Sequence, residues 1–195
     1  MYFFKELFTP YETQIKNTAL DIIKSDRKIF RRESEKTANA LDFSLLKARM
    51  PEIVDAYSHY GLKCEKAVAF VMYRRDDLKL HVDHDPLYSH GRVLLPIYNC
   101  QGTYTNFYSG CKVIMSEDDE LRKKYTFRSQ ETQGRPFYAI EDPQNCVLAQ
   151  QIELKQSTLI NIRAPHDVTL PPGFTGPRVV LGLMFDRDPI FLFEQ

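Results

Sequence analysis

Leu80-His81-Val82-Asp83-His84-Asp85-Pro86 is the stretch on which the fold of this chain turns, and its core is His81-x-Asp83. In an extended strand successive side chains alternate faces, so His81 and Asp83 point one way while Leu80 and Val82 point the other. Two groups able to ligate a metal therefore project together from one short segment. A third stands far along the chain in Pro165-His166-Asp167. Arg178 follows it, at the head of the apolar run Val179-Val180-Leu181-Gly182-Leu183-Met184-Phe185. Gathering these groups requires strands remote in sequence to be brought opposite one another.

The sequence on either side reads as short strands. Residues 67–73 are an apolar run of strand length, bounded by the charged turn Arg74-Arg75-Asp76-Asp77. Further strands are expected at 79–83, 92–98 (with Pro96 at a bulge or edge), 103–108, 136–140, 146–154, 158–162, 166–170 and 178–185. Pro171-Pro172-Gly173 and Gly176-Pro177 mark the last turns. A polar, mixed-charge insertion, at about 112–135, carries an expected short helix near 117–124. It is either a lid over a site or a surface loop.

Residues 1–62 are of another kind. Residues 1–8 form a short strand or an extended arm. Thr9 as N-cap, Pro10 at the first helical position and Glu12 completing a capping box predict a helix start. Ile15, Ala19, Ile22 and Ile23 give that helix one apolar face, ending near Ser25. The mixed charges of residues 26–36 read as a solvated loop or helix face in preference to a binding patch. Asp42 caps a second helix bearing Leu46, Met50, Ile53, Val54 and Tyr57, split by Pro51 and stopped by Gly61. The fold class expected is mainly β with helical support (α+β). It is a jelly roll of about eight strands in a single domain, 1–195, with the N-terminal helices packed on one sheet.

At 43% hydrophobic and 27% charged, the composition is that of an ordered globular chain. Acidic and basic residues balance at 26 each, so no net positive field favours nucleic acid or an anionic membrane. No run approaches the ~18 apolar residues of a membrane span. The apolar Met1-Tyr2-Phe3-Phe4 is cut off by Lys5 and Glu6, too short for a signal sequence. Cys64, Cys100, Cys111 and Cys146 form no C-x-x-C pair, which excludes a zinc ribbon. They are expected to be free thiols in a reducing compartment, hence a cytoplasmic protein.

Two imidazoles and one carboxylate with open coordination positions are the donor set of a non-haem Fe(II) oxygenase site. Asp83 is anionic, and His81 and His166 must be neutral to bind a metal. Arg178 heads a strand in which a lone buried charge would be costly, and a guanidinium matches a carboxylate in bidentate fashion. His84 faces away from His81 and Asp83 in a regular strand, and is read as a neighbour of the site or a surface residue. His59 and His90 are read as exposed.

From residue 68 to residue 186 the chain resembles the Fe(II)- and 2-oxoglutarate-dependent dioxygenases. The resemblance is carried by Val71-Met72-Tyr73, His81-Val82-Asp83, Arg92-Val93-Leu94-Leu95-Pro96-Ile97, Gly102-Thr103-Tyr104-Thr105-Asn106-Phe107-Tyr108, Leu159-Ile160-Asn161, Pro165-His166 and Arg178-Val179-Val180-Leu181. It implies a double-stranded β-helix. It implies Fe(II) on His81, Asp83 and His166, with 2-oxoglutarate anchored by Arg178 and approached by Tyr73, Thr105 and Asn99. Dioxygen is then the oxidant, with ascorbate as an accessory reductant, and 2-oxoglutarate is decarboxylated to succinate. The family's halogenases lack the carboxylate ligand, so Asp83 implies hydroxylation of a C–H bond or another oxidation. Val180 and Ile97 stand where relatives place polar co-substrate contacts, which must then come from elsewhere. The expected substrate is a peptidyl side chain or a small metabolite. The competing readings are a cupin-like zinc hydrolase or isomerase, built on the same three ligands, and a jelly-roll binding module without catalysis.

Overall fold

The computed structural model describes residues 2–26, 38–73, 79–83, 90–118 and 137–194. His84, the charged turn after residue 73, most of the 26–36 stretch and most of the expected insertion lie outside these residues. The described chain contains β1 (Phe4–Glu6), α1 (Glu12–Ser25), β2 (Ala38–Ala40), α2 (Phe43–Arg49), β3 (Cys64–Met72), β4 (Gly91–Tyr98), β5 (Tyr104–Ser109), β6 (Val113–Ser116), β7 (Phe137–Ile140), β8 (Val147–Glu153), β9 (Thr158–Asn161), β10 (His166–Thr169) and β11 (Arg178–Phe185). Short 3-10 turns occupy Pro51–Val54, Ser58–Tyr60, Pro143–Asn145 and Pro189–Glu194.

All strand pairings are antiparallel. A large sheet runs β1-β9-β4-β11-β3-β2, a small one β10-β5-β8, and β6 pairs with β7. The alternation of β11 divides the core. Val179, Leu181 and Leu183 face the helices, joining Ile15, Ala19, Ile22 and Ile23 of α1, Leu46 of α2, and Val93 and Leu95 of β4. Each isoleucine buried this way stabilises by ~1.5–3 kcal/mol. Val180, on the opposite face, joins Leu94 and Ile160 of the large sheet with Phe107 and Ile152 of the small one. The two sheets thus pack face to face, with the helices on the far side of the large sheet, as the sequence predicts.

Several local expectations hold. Asp42 caps α2 by accepting from the Leu45 N–H at 3.0 Å, and Pro51 ends that helix. Gly61 stops the following turn at φ 71°, in the left-handed region that suits glycine. The run 178–185 is β11 to the residue. Pro96 lies past the last β9 pairing (Leu94 with Thr158) and beside a register shift against β11, where a missing N–H is tolerated.

Four expectations are corrected. Tyr11, in a left-handed conformation at φ 60°, and not Thr9, occupies the N-cap of α1. Glu12 accepts instead from the Ser157 N–H at 3.1 Å and pairs with Lys16, tying the helix start to the loop before β9. Residues 79–83 form no strand and make a single bridge to β10 at His81. Among the described residues the strand count rises from about eight to eleven: β1 realises the short strand expected within residues 1–8, and β2 and β6, of three and four residues, are added. Cys111 and Cys146 are disulfide-bonded, and only Cys64 and Cys100 are free thiols. The cause of this last difference is register. Ser109 pairs with Val147 across β5 and β8, which sets the flanking cysteines 4.6 Å apart at Cα. Among the described residues no helix is long and apolar enough to cross a membrane.

Candidate metal centre

His81 and His166 stand directly opposite one another and exchange both backbone hydrogen bonds, N–H to O at 2.9 and 2.8 Å. In an antiparallel pair such residues point to the same side, and their rings lie 4.4 Å apart, centroid to centroid. Two residues on, the Asp83 N–H donates to Ile162 O at 3.1 Å, which returns the Asp83 side chain to the same face. The alternation expected of His81-x-Asp83 is therefore realised by one bridge and one further hydrogen bond. Behind His166, Phe107 lies 6.1 Å away ring to ring, and Phe3 and Phe4 of the N-terminal arm stack on Phe107.

Each potential ligand has its second polar atom occupied. His81 Nδ1 is 2.6 Å from Lys79 O, and His166 Nδ1 is 2.8 Å from Ala164 O. A carbonyl only accepts, so both Nδ1 atoms carry a proton, and in the neutral form each ring turns its Nε2 lone pair inward. Asp83 Oδ2 accepts from Arg92 Nη1 at 2.7 Å, leaving Oδ1 3.3 Å from His81 Nε2 and 4.0 Å from His166 Nε2. One ligand atom from each of the three residues falls within 4.8 Å of the others. Three lone-pair donors aimed at one point repel each other unless a cation sits between them.

The electrostatics of Asp83 and His166 agree with that requirement, whereas without a metal His81 is held towards its protonated form. Burial raises the Asp83 pKa, but Arg92 first, and then both histidines, outweigh it and hold the carboxyl well below the usual carboxylate range. Burial, reinforced by the neighbouring His81, pushes His166 down to about 4, so that it is neutral at neutral pH. For His81 burial acts downward, and the hydrogen bond and charge of Asp83 override it and raise the pKa. An anionic carboxylate and neutral imidazoles are the forms that bind a metal, and a metal would displace the proton His81 favours.

Arg178 lies on the inter-sheet side of β11, in step with Val180, and is only 2% exposed. Its Nε donates to Thr103 Oγ1 at 2.9 Å and Nη1 approaches Met72 Sδ at 3.7 Å. Among the described residues no carboxylate faces this guanidinium, and burial lowers its pKa. Met72 packs against Val168, two positions along the same face from His166. Thr105, opposite Val168, shares the inner face with Phe107. Its hydroxyl is buried and has no hydrogen-bond partner among the described residues. The remaining candidates fall elsewhere. Tyr73 packs with the helix-side cluster, and the Asn99 amide donates to Thr175 O at 3.0 Å. His59 is exposed, and His90 is bound to Asp188 at 2.9 Å.

On the outer face of the small sheet, Asn106 donates to Asp167 Oδ1 and Thr169 Oγ1, both at 2.7 Å, and accepts from Gln151 at 2.7 Å. Tyr108 donates to Asp167 Oδ2 at 2.8 Å. This network fastens β10, and with it His166, to β5. Arg92 and Thr103 are the contacts that reading the sequence missed. Arg92 shares its face of β4 with Leu94, and an inward arginine needs an anion; strand parity carried that signal.

The class so defined is a β-rich α+β protein with a His-Asp-His group between two packed sheets. No protein-family model and no curated protein sequence matches the chain. Among solved structures it is similar to HygX from Streptomyces hygroscopicus with iron bound, at 12% identity and a TM-score of 0.37, covering 91% of this chain and 86% of that one. The apo form of HygX matches at 11% identity and a TM-score of 0.37, covering 90% and 85%. At that TM-score the likeness carries no weight for the chemistry of this chain.

Proposed function

We propose that this protein is an Fe(II)- and 2-oxoglutarate-dependent oxygenase that hydroxylates a C–H bond of a peptidyl side chain or a small metabolite. The observation that carries the reading is a conjunction within one inter-sheet space. His81, Asp83 and His166 bring one ligand atom each within 4.8 Å of the others, and Arg178, linked to the His166 strand through Met72 and Val168, is buried and has no carboxylate partner among the described residues. The strand order supports a double-stranded β-helix. Along the chain, β3, β4, β9 and β11 enter the large sheet, while the bridge at His81, β5, β8 and β10 enter the small one.

His81 Nε2, His166 Nε2 and Asp83 Oδ1 would hold the metal, leaving three positions of an octahedron free. The donor set, two nitrogens and one oxygen, suits Fe(II). When bound, iron and 2-oxoglutarate supply the oxidation, with dioxygen as oxidant and succinate and carbon dioxide as products. The chain supplies binding and orientation. Arg178 takes the far carboxylate of the co-substrate, where a bidentate guanidinium gives direction as well as charge. The Thr105 hydroxyl, opposite Val168 and without a partner among the described residues, would donate to the same molecule. Phe107, Val168 and Met72, buried and apolar on the inter-sheet side, would exclude water there. Tyr73 and Asn99 remain candidates for co-substrate contact only if they move from their present positions.

A zinc hydrolase could use the same triad but has no use for a buried Arg178 that faces no carboxylate among the described residues. The test is co-substrate turnover. Purified protein with Fe(II), ascorbate and 2-oxoglutarate is assayed for succinate, alone and with peptide and metabolite pools. Succinate formation that Asp83→Ala and Arg178→Met each abolish supports the proposal. Wild type that forms none with any pool, and binds zinc tightly, overturns it.

A further inference from the structure

The contact of Arg92 with Asp83 goes beyond a surface ion pair. Arg92 Nη1 meets Asp83 Oδ2 at 2.7 Å, and the two side chains are only 13% and 21% exposed. The arginine is also held along its length. Its guanidinium carbon lies 5.6 Å from the centre of the Phe70 ring, and its backbone sits in β4 opposite Ile160. Gly182 on β11 makes the seat. A Cβ there would stand 2.6 Å from Phe70 Cε2 and 3.2 Å from Arg92 Cδ. The absent side chain at 182 lets the aromatic ring and the arginine stem lie flat on the inner face of the sheet, with the guanidinium directed at Asp83.

A carboxylate can bind a metal through one oxygen or through both. We propose that Arg92 is a positioning residue that keeps Asp83 a one-oxygen ligand. By occupying Oδ2, it leaves Oδ1 alone to face His81 and His166. It thereby reserves a coordination position that two-oxygen chelation would fill. The inference rests on the reading of His81, Asp83 and His166 as a metal site. Its use to the protein follows from the arithmetic of coordination. A bidentate co-substrate and dioxygen need three open positions, and a chelating Asp83 leaves two. The opposite charge of Arg92 alone would weaken attraction for a cation, so its value lies in geometry.

The test uses Co(II) alone as the probe, because its visible bands report coordination number. Arg92→Met keeps an apolar stem against Phe70 and removes the donor, and Arg92→Lys restores a cationic donor. Expected are Co(II) binding in wild type, a changed Co(II) spectrum in Arg92→Met, and a return towards wild type in Arg92→Lys. The affinity of the Co(II)-loaded protein for 2-oxoglutarate falls about tenfold or more in Arg92→Met. Identical Co(II) spectra in wild type and Arg92→Met overturn the role of Arg92. Absence of Co(II) binding in wild type overturns the metal site itself, and the inference with it. Wild type that binds Co(II) but not 2-oxoglutarate removes the co-substrate reading and leaves the spectra to decide on Arg92. Should Arg92→Met not fold, infrared spectroscopy of the Co(II)-loaded wild type decides. A wide separation of the Asp83 carboxylate stretches means one-oxygen binding and supports the inference; a narrow separation overturns it.

Discussion

Replacing Arg178 by methionine should stabilise the ligand-free protein. Most substitutions of a buried residue destabilise, so the sign is informative. The guanidinium is 2% exposed, and its partners among the described residues are one hydroxyl and one thioether. Removing such a charge from water carries an effective penalty of several kcal/mol. Against that stands one charge-assisted hydrogen bond to Thr103, worth ~1.5–3 kcal/mol. Methionine fills the space beside Met72 and leaves no orphan, because Thr103 Oγ1 still donates to Cys100 O at 2.6 Å. The net expectation is a gain of ~1–3 kcal/mol, read as a higher urea midpoint at unchanged slope. With Mn(II) and 2-oxoglutarate at about 100 times the dissociation constant, wild type should gain a further ~2.7 kcal/mol and Arg178→Met should gain almost none. A loss of more than ~1 kcal/mol in ligand-free Arg178→Met would refute the reasoning, because Arg178 would then be a structural residue and not a ligand anchor.

Other perturbations follow from the same geometry. Gly182→Ala drives a methyl against Phe70 and Arg92 and should destabilise by ~1–3 kcal/mol in thermal or urea unfolding. Asn106→Ala leaves Asp167, Thr169 and Gln151 short of a partner and should lose ~1–3 kcal/mol, with slowed hydrogen exchange at β10 lost as well. The metal-free protein should lose stability as pH falls from about 6.5 to about 4. His166 titrates near 4 when folded and near 6.5 when unfolded, so across that window the unfolded chain binds a proton that the folded chain refuses. The loss from this group is about 3 kcal/mol, visible in urea midpoints taken along a pH series. His81, raised in the fold, is protonated in both states at the low end of that window and does not cancel the effect.

The sequence disclosed most where one physical signal dominated. The apolar run after Arg178 lies between Gly176-Pro177 and a charged end, and only a buried strand satisfies it. His81-x-Asp83 needed no regular strand to work; the alternation of an extended chain was enough. What stayed hidden was set by tertiary register. The Cys111–Cys146 bond depends on how β5 pairs with β8, and a separation of 35 residues carries no local trace of that pairing. Glu12 looked like part of a capping box, yet it binds Ser157 across the chain because α1 docks beside the start of β9. The resemblance implied Tyr73 as a co-substrate contact, but strand parity turns it with Val71 towards the helices. For Arg92 strand parity with Leu94 signalled an inward side chain, but its partner, Asp83 at 2.7 Å, is set by the fold.

The central claim is that one inter-sheet space holds a metal and a chelating dicarboxylate together. Its most direct test is anaerobic visible spectroscopy of metal-free protein given Fe(II) and then 2-oxoglutarate. The account predicts a metal-to-ligand charge-transfer band on adding 2-oxoglutarate, absent in Asp83→Ala and weakened in Arg178→Met. Fe(II) binding with no band at saturating 2-oxoglutarate would contradict it.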